Sequence, residues 1–163
     1  CLNEWFLGFH CIIFVPIQHR LEQALKILGI DHGNVRIGVA ISDEAANFAR
    51  PLTILRHVSR SLDAQTVCKL CRDEGCGMIV VGMPYDLDGG TGPRARSVGR
   101  FVDELRSFSG VPVETWDESF STQNVISTSV QMKKSRGSRR EVLDDKAAAM
   151  ILQSYLDYQA TKR

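Results

Sequence analysis

Four acidic side chains sit where an enzyme could use them. Asp31 ends the short apolar run Ile27 to Ile30, Glu118 follows the strand-like segment 112–117, and Asp144 and Asp145 lie near the start of the last helical stretch. Carboxylates that converge repel one another unless a cation neutralises them, and hard oxygen ligands of this kind suit Mg²⁺ or Mn²⁺. Such ions serve phosphodiester hydrolysis by activating water and steadying the leaving oxygen. Taken singly, each acid has an ordinary explanation as a cap or as a partner of a helix dipole. Only their joint placement points to a site.

The elements that must position these acids can be read from periodicity. Ile27 to Asp31 reads as a buried strand and Arg36 to Ile41 as a second, with Gly33-Asn34 between them as a hairpin turn, since both residues tolerate positive φ. Pro51 to Arg56 reads as a third strand. Ser61 to Glu74 has helical spacing through Leu62, Val67, Leu70 and Cys71 and closes on Gly75. Met78 to Val81 is a continuous apolar run, the pattern of a strand covered on both faces.

A second helix is expected over Pro93 to Phe108, with Val98, Phe101, Val102 and Leu105 on one side, and a fifth strand over Pro112 to Asp117. Ser121 opens a short third helix. The last helix, Glu141 to Tyr158, carries Ala147, Met150, Ile151, Ser154 and Tyr155 at helical spacing. This order predicts an α/β fold with one five-stranded mixed sheet: an antiparallel meander of three strands, then parallel crossovers, flanked by helices. The carboxyl ends of its parallel strands would share one edge, where ligand sites form. Asp31 and Glu118 should meet there, and a helix packed across the sheet could add Asp144 or Asp145.

Composition narrows the setting. A chain of 163 residues with 44% hydrophobic and 24% charged content describes one soluble domain, assigned to 27–160, and a formal net charge of +1 excludes binding of polyanions by overall field. Any nucleic-acid contact must be local. The segment QMKKSRGSRR supplies Lys133, Lys134, Arg136, Arg139 and Arg140, which could neutralise several phosphates or could be a solvated linker. Gly89, Gly90 and Gly92 precede a helix start and expose backbone N–H groups suited to phosphate, with Arg94 and Arg96 in the first turn.

Five irregularly spaced cysteines point to reduced thiols and a cytoplasmic setting. Cys68, Cys71 and Cys76 could hold zinc with His57 as a fourth ligand, or Cys68 and Cys71 could simply face the core from a helix. The first 26 residues, broken by His10 and Pro16, fit neither a signal peptide nor a membrane span and read as an appendage. Trp116 and Phe120 flank Glu118 and could stack on a base or be buried.

Four segments, GIDHGNVRIGVAISD, VVGMPYDLDGGTGPRA, VETWDESFST and DDKAAAMILQSYL, resemble in order and spacing the YqgF (RuvX-type) family of RNase H-like nucleases, over roughly Leu28 to Tyr158. Members are described as nucleases for the 5′ end of precursor 16S ribosomal RNA and as Holliday junction resolvases. The resemblance implies an RNase H-like sheet and a Mg²⁺- or Mn²⁺-dependent nuclease leaving 3′-hydroxyl and 5′-phosphate ends. It also implies a catalytic triad of Asp31, Glu118 and Asp144, with Asp145 as the neighbouring alternative ligand.

Expected substrate contacts are Gly33, Arg36, Gly89, Gly90, Gly92, Arg94, Arg96, Ser121, Thr122 and the five basic residues of 133–140. The family's Asp-Glu-Arg-x-Ser-Thr reads here with Ser119 in place of arginine, and serine cannot clamp a phosphate through two parallel hydrogen bonds. Arg36 or Lys146 could substitute, or Arg36 could merely snorkel from its strand. Implied partners are structured RNA, branched DNA and pre-ribosomal particles, with no membrane; the molecule would be a monomer or a homodimer. Two rivals remain: an actin-like or sugar-kinase ATPase, whose related fold needs a second lobe, and a non-catalytic RNA-binding assembly factor.

Overall fold

A computed structural model describes residues 26–85, 90, 92–117 and 141–162, with 141–145 given by their backbone alone. The elements are β1 (Lys26–His32), β2 (Arg36–Ser42), β3 (Ala49–Arg56), α1 (Arg60–Asp73), β4 (Cys76–Met83), α2 (Pro93–Phe108), β5 (Val113–Asp117) and α3 (Glu141–Ala160). They form one five-stranded sheet of order β3-β2-β1-β4-β5. The pairs β1–β2 and β2–β3 are antiparallel, whereas β1–β4 and β4–β5 are parallel. The expected meander and crossovers are therefore present, and the strands run one to two residues beyond their apolar cores. The appendage and the short helix expected at Ser121 lie outside the described residues.

The two faces of the sheet are sealed differently. Leu28, Ile30, Ile37, Val39, Ile41, Ile79 and Val81 pack with Val67, Val98, Phe101, Val102 and Leu105 of α1 and α2. Each such side chain, fully withdrawn from water, contributes roughly 1.5–3 kcal/mol. On the opposite face Ala40 and Val80 meet Ala148, Leu152, Tyr155 and Leu156 of α3. Cys68 and Cys71 are buried from α1, and the Cys71 thiol donates to the Cys76 carbonyl at 3.6 Å. The neighbouring Cys76 side chain, then burial, raises the Cys71 thiol above its ordinary range.

Local chemistry explains the boundaries. Ser59 caps α1 by accepting the Leu62 N–H, and the helix stops where Gly75 takes φ +69, the left-handed conformation that a side chain resists. Pro93 opens α2, where its missing N–H is no loss. Asp43 closes the β2–β3 loop by accepting the Asn47 and Phe48 amides at 2.7 and 3.0 Å, which hold its carboxyl below the ordinary carboxylate range.

Three expectations need correction. Leu62, placed on the apolar side of the first helix, is 52% exposed; its core side is Asp63, Ala64, Val67, Cys68 and Cys71. Met150, placed on the apolar side of the last helix, is 40% exposed, and Ala148, Leu152 and Leu156 pack there instead. Both helices are rotated from the reading by roughly one residue, because which stripe faces inward is decided by the sheet beneath. The Gly33-Asn34 turn uses no positive φ. Gly33 donates its N–H to the Arg36 carbonyl at 3.0 Å, and a Cβ there would stand 2.7 Å from that oxygen, so the glycine is required for close approach.

α3 is docked by specific polar contacts as well as burial. Gln153 accepts the Ala49 N–H and donates to the Asn47 carbonyl, tying α3 to the β2–β3 loop. Trp116 donates its indole N–H to Ser154 at 2.7 Å and meets Tyr155 edge-on. Tyr155 donates its hydroxyl to Glu114 at 2.9 Å, and burial followed by that acceptor pushes its pKa up to about 12. Where the helix crosses β1, a Cβ on Gly29 would lie 2.6 Å from the Leu152 Cβ and 3.3 Å from the Ala148 carbonyl oxygen.

Gly29→Ala is expected to destabilise the protein by about 1–3 kcal/mol, the usual cost of overpacking, read as a lower urea midpoint. Tyr155→Phe keeps the ring but loses the bond to Glu114, at about 1 kcal/mol near neutral pH. Because the folded pKa of Tyr155 is raised, its contribution is complete below the unfolded value near 10 and is lost as pH rises towards about 12. Urea unfolding across that range should show the slope in the wild type and a flatter one in Tyr155→Phe.

Candidate active site at the carboxyl edge of the sheet

Asp31 is the penultimate residue of β1 and pairs with Gly38 of β2. Side chains alternate along a strand, and Gly29 faces α3, so Asp31 faces α3 as well. Its carboxylate is 20% exposed, and the Arg94 guanidinium of α2 stands 3.8 Å away. In the parallel part of the sheet Ile30 pairs with Val81, and Met83 pairs with Asp117. The carboxyl ends of β1, β4 and β5 therefore reach one edge, with Asp117 the last described residue before position 118.

α3 runs antiparallel to β1. Its carboxyl-terminal half carries Gln153 bound at the start of β3 and Leu156 packed with Ile27 near the start of β1. Gly29 lies against the helix between Ala148 and Leu152. Two residues of strand advance about 7 Å, which at about 1.5 Å per helical residue is between four and five positions. The backbone at positions 144 and 145 thus comes to the level of Asp31.

Several cations border this edge. Arg36 stands directly opposite Arg56 in the register. Ile37 and Val39 belong to the core on the other face, so Arg36 and Arg56 share the face of Asp31. The sequence leaves Arg36 between two roles, and strand parity places it on the same face of the sheet as Asp31. Arg56, as the last residue of its strand, was missed; counting alternation from Leu55 would have found it.

Gly92 caps α2 without a side-chain bond, the first turn carries no acid, and Arg94 and Arg96 are both exposed there. Gly90 is also exposed. Lys146 is exposed on α3. Trp116 is half-buried and packs against α3 through Ser154 and Tyr155. Glu118, Phe120, Ser121, Thr122, Gly89, Lys133, Lys134, Arg136, Arg139 and Arg140 lie outside the described residues, as do the side chains of Asp144 and Asp145.

One group among the described residues has the spacing of metal ligands, and it is not the expected set. His32, His57 and Asp63 each bring one ligating atom within 4.8 Å of the other two. They lie on the α1 and α2 side of the sheet, opposite Asp31. His57 Nδ1 lies 2.5 Å from Asp63 Oδ2, and Asp63 Oδ1 accepts the Val58 N–H at 3.2 Å. Burial, then the neighbouring His57, lowers the pKa of His32 below the ordinary imidazole value. His57 therefore does not join Cys68, Cys71 and Cys76. The signal for His32 was available in the adjacent pair Asp31-His32, because neighbours in a strand covered on both faces must serve opposite sides.

Comparison with known proteins agrees with this architecture. The chain is similar to a protein of Symbiobacterium thermophilum named "Putative pre-16S rRNA nuclease", 41% identical over 138 residues that cover 85% of this chain and 96% of the relative. A protein of the same name from Thermoanaerobacter pseudethanolicus is 38% identical over 141 residues, covering 85% of this chain and all of the relative. Among solved structures, Thermus thermophilus RuvC in complex with a Holliday junction substrate superposes with a TM-score of 0.54 at 14% identity, over 83% of this chain and 96% of that one, a likeness of fold. Residues 25–158 match the family model described as "RuvX: Holliday junction resolvase", and the chain belongs to that RuvX family of nucleases.

Proposed function

We propose that this protein hydrolyses phosphodiester bonds in structured RNA at the 5′ end of precursor 16S ribosomal RNA, leaving 3′-hydroxyl and 5′-phosphate ends. The observation that carries the reading is Asp31, four-fifths buried at the carboxyl edge of the sheet with the Arg94 guanidinium 3.8 Å away. RNA is favoured because close relatives matched over nearly their whole length bear that name. Branched DNA is the second reading, favoured by the description of the family model.

The donors at this edge fit a hard divalent ion. Asp31 offers carboxylate oxygen in a charged, partly open setting, and with Glu118 and Asp144, and Asp145 beside it, would hold Mg²⁺ or Mn²⁺. Such an ion, when bound, stabilises the charge that develops on phosphate during hydrolysis. The protein's own share is binding and orientation. Arg94 offers positive charge beside Asp31, Arg36 and Arg56 offer it on the same face of the sheet, and Arg96 with the amides of Arg94 and Ala95 at the start of α2 adds donors suited to phosphate.

Basic residues in the first turn of a helix oppose its dipole, so an anion there relieves two unfavourable terms together. Arg36, on the same face of the sheet as Asp31, would supply the charge that the family arginine lost at Ser119 would have given. The segment 133–140 adds neutralising charge along the substrate backbone. Gly33, Gly89, Gly90 and Gly92 let a phosphate approach the backbone closely, and Ser121 and Thr122 donate to it.

The direct test compares cleavage of a precursor 16S 5′-end RNA and a four-way DNA junction, with and without Mg²⁺. Cutting of the RNA that requires Mg²⁺ is expected; cutting of the junction alone would move the assignment to DNA, and cutting of neither would overturn it. Removing groups that merely orient metal ligands costs about 10- to 100-fold, so Asp31→Asn should lose at least about 100-fold in cleavage rate while retaining RNA binding. Arg94→Ala should weaken RNA binding to a similar degree across sequences and reduce the slope of log affinity against log salt by about one. Fluorescence anisotropy over a salt series measures it, and an unchanged slope would remove Arg94 from the interface.

A further inference from the structure

We propose that His32, His57 and Asp63 form a second metal site, for a transition-metal ion of the zinc class, on the face of the sheet away from Asp31. The three residues come from three elements: the end of β1, the residue that follows β3, and the first turn of α1. Each brings a ligating atom within 4.8 Å of the others, a separation that small side-chain rotations reduce to the spacing around one ion. Two imidazoles and one carboxylate make a borderline donor set suited to Zn²⁺ or Co²⁺, in contrast to the all-oxygen set around Asp31.

A simple ion pair accounts for two of the three residues. His57 and Asp63 bond at 2.5 Å, and Asp63 is anchored from its other oxygen by the Val58 N–H. His32 is left over. It is 7% exposed, its ring lies 4.3 Å from that of Phe101 and 5.8 Å from that of His57, and its Nε2 is buried with no hydrogen-bond partner among the described residues. A buried polar atom without a partner costs about 1–3 kcal/mol. An apolar ring would fill the space beside Phe101 without that penalty. A metal ion supplies the missing partner and uses the other two residues as ligands.

The surroundings permit loading. His57 is 33% exposed, which gives an ion a route inward and leaves room for water as a fourth ligand. The backbone frame is set before the ion arrives, since β1 and β3 are paired through β2 and Ser59 caps α1 four residues before Asp63. An ion here would tie the carboxyl end of β1 to the β3–α1 junction. Because Asp31 immediately precedes His32, the same tie would steady the carboxylate on the opposite face.

Cobalt titration of the full chain in excess Mg²⁺ tests the site without relying on nuclease activity. The expected result is one equivalent of Co²⁺ with visible d–d absorption and no intense near-ultraviolet thiolate band, which separates it from Cys68, Cys71 and Cys76. His57→Gln, at a partly exposed position, and Asp63→Asn should each weaken cobalt binding by at least tenfold, and Zn²⁺ should raise the melting temperature of the wild type but not of His57→Gln. Circular dichroism establishes that each variant is folded, and His57→Gln decides if Asp63→Asn is not. Absence of saturable cobalt binding, a thiolate band, or equal affinity in wild type and His57→Gln would overturn the proposal.

Discussion

β1 lies in the middle of the sheet, hydrogen-bonded to β2 on one side and β4 on the other, and is covered by helices on both faces. Its side chains must alternate between two separate cores, and that alternation governs the rest of the molecule. Leu28 and Ile30 fill the larger core under α1 and α2. Gly29 clears a path for α3, which could not otherwise approach closely enough for Leu152 to seal the second core. At the carboxyl end the same rule sends Asp31 to one face and His32 to the other, so two adjacent polar residues serve two distinct environments.

The placement of α3 follows from that approach. Gly29 fixes its distance from the sheet, while Gln153 and the pairs Trp116–Ser154 and Tyr155–Glu114 fix its position along β1, β3 and β5. Each contact is worth only about 1 kcal/mol, but together they leave the helix one register. Its amino-terminal turn, with positions 144 and 145, then falls at the level of Asp31. Burial supplies the energy of docking and the polar contacts supply its precision, the combination a site held to fractions of an ångström requires.

Charge is organised locally rather than globally. With a net charge of +1, the protein has no long-range field to gather a polyanion. Arg94 instead stands 3.8 Å from the Asp31 carboxylate, and Arg36 and Arg56 lie on the same face of the sheet as that acid. Sheets of this topology collect ligands at that edge in many unrelated proteins. Fold alone does not assign chemistry, and the likeness to RuvC at 14% identity speaks only to architecture. Membership of the RuvX family rests on a match along nearly the whole described chain.

What could be read from the chain alone was whatever local backbone chemistry decides. Apolar runs marked the strands, and Gly75 and Pro93 bounded the helices because positive φ and the missing proline N–H act within a turn, whereas the cap at Ser59, two residues before the expected start at Ser61, came only from the structure. Asp31 stood out as an acid at the end of a buried run. Tertiary packing alone decided which stripe of a helix turns inward, and so left Leu62 and Met150 exposed; it also gave Gly33 its role against the Arg36 carbonyl and brought His57 to Asp63 rather than to the cysteines. These outcomes depend on residues far apart in sequence, whose meeting is set by strand order and helix register. No window of a few residues contains that information.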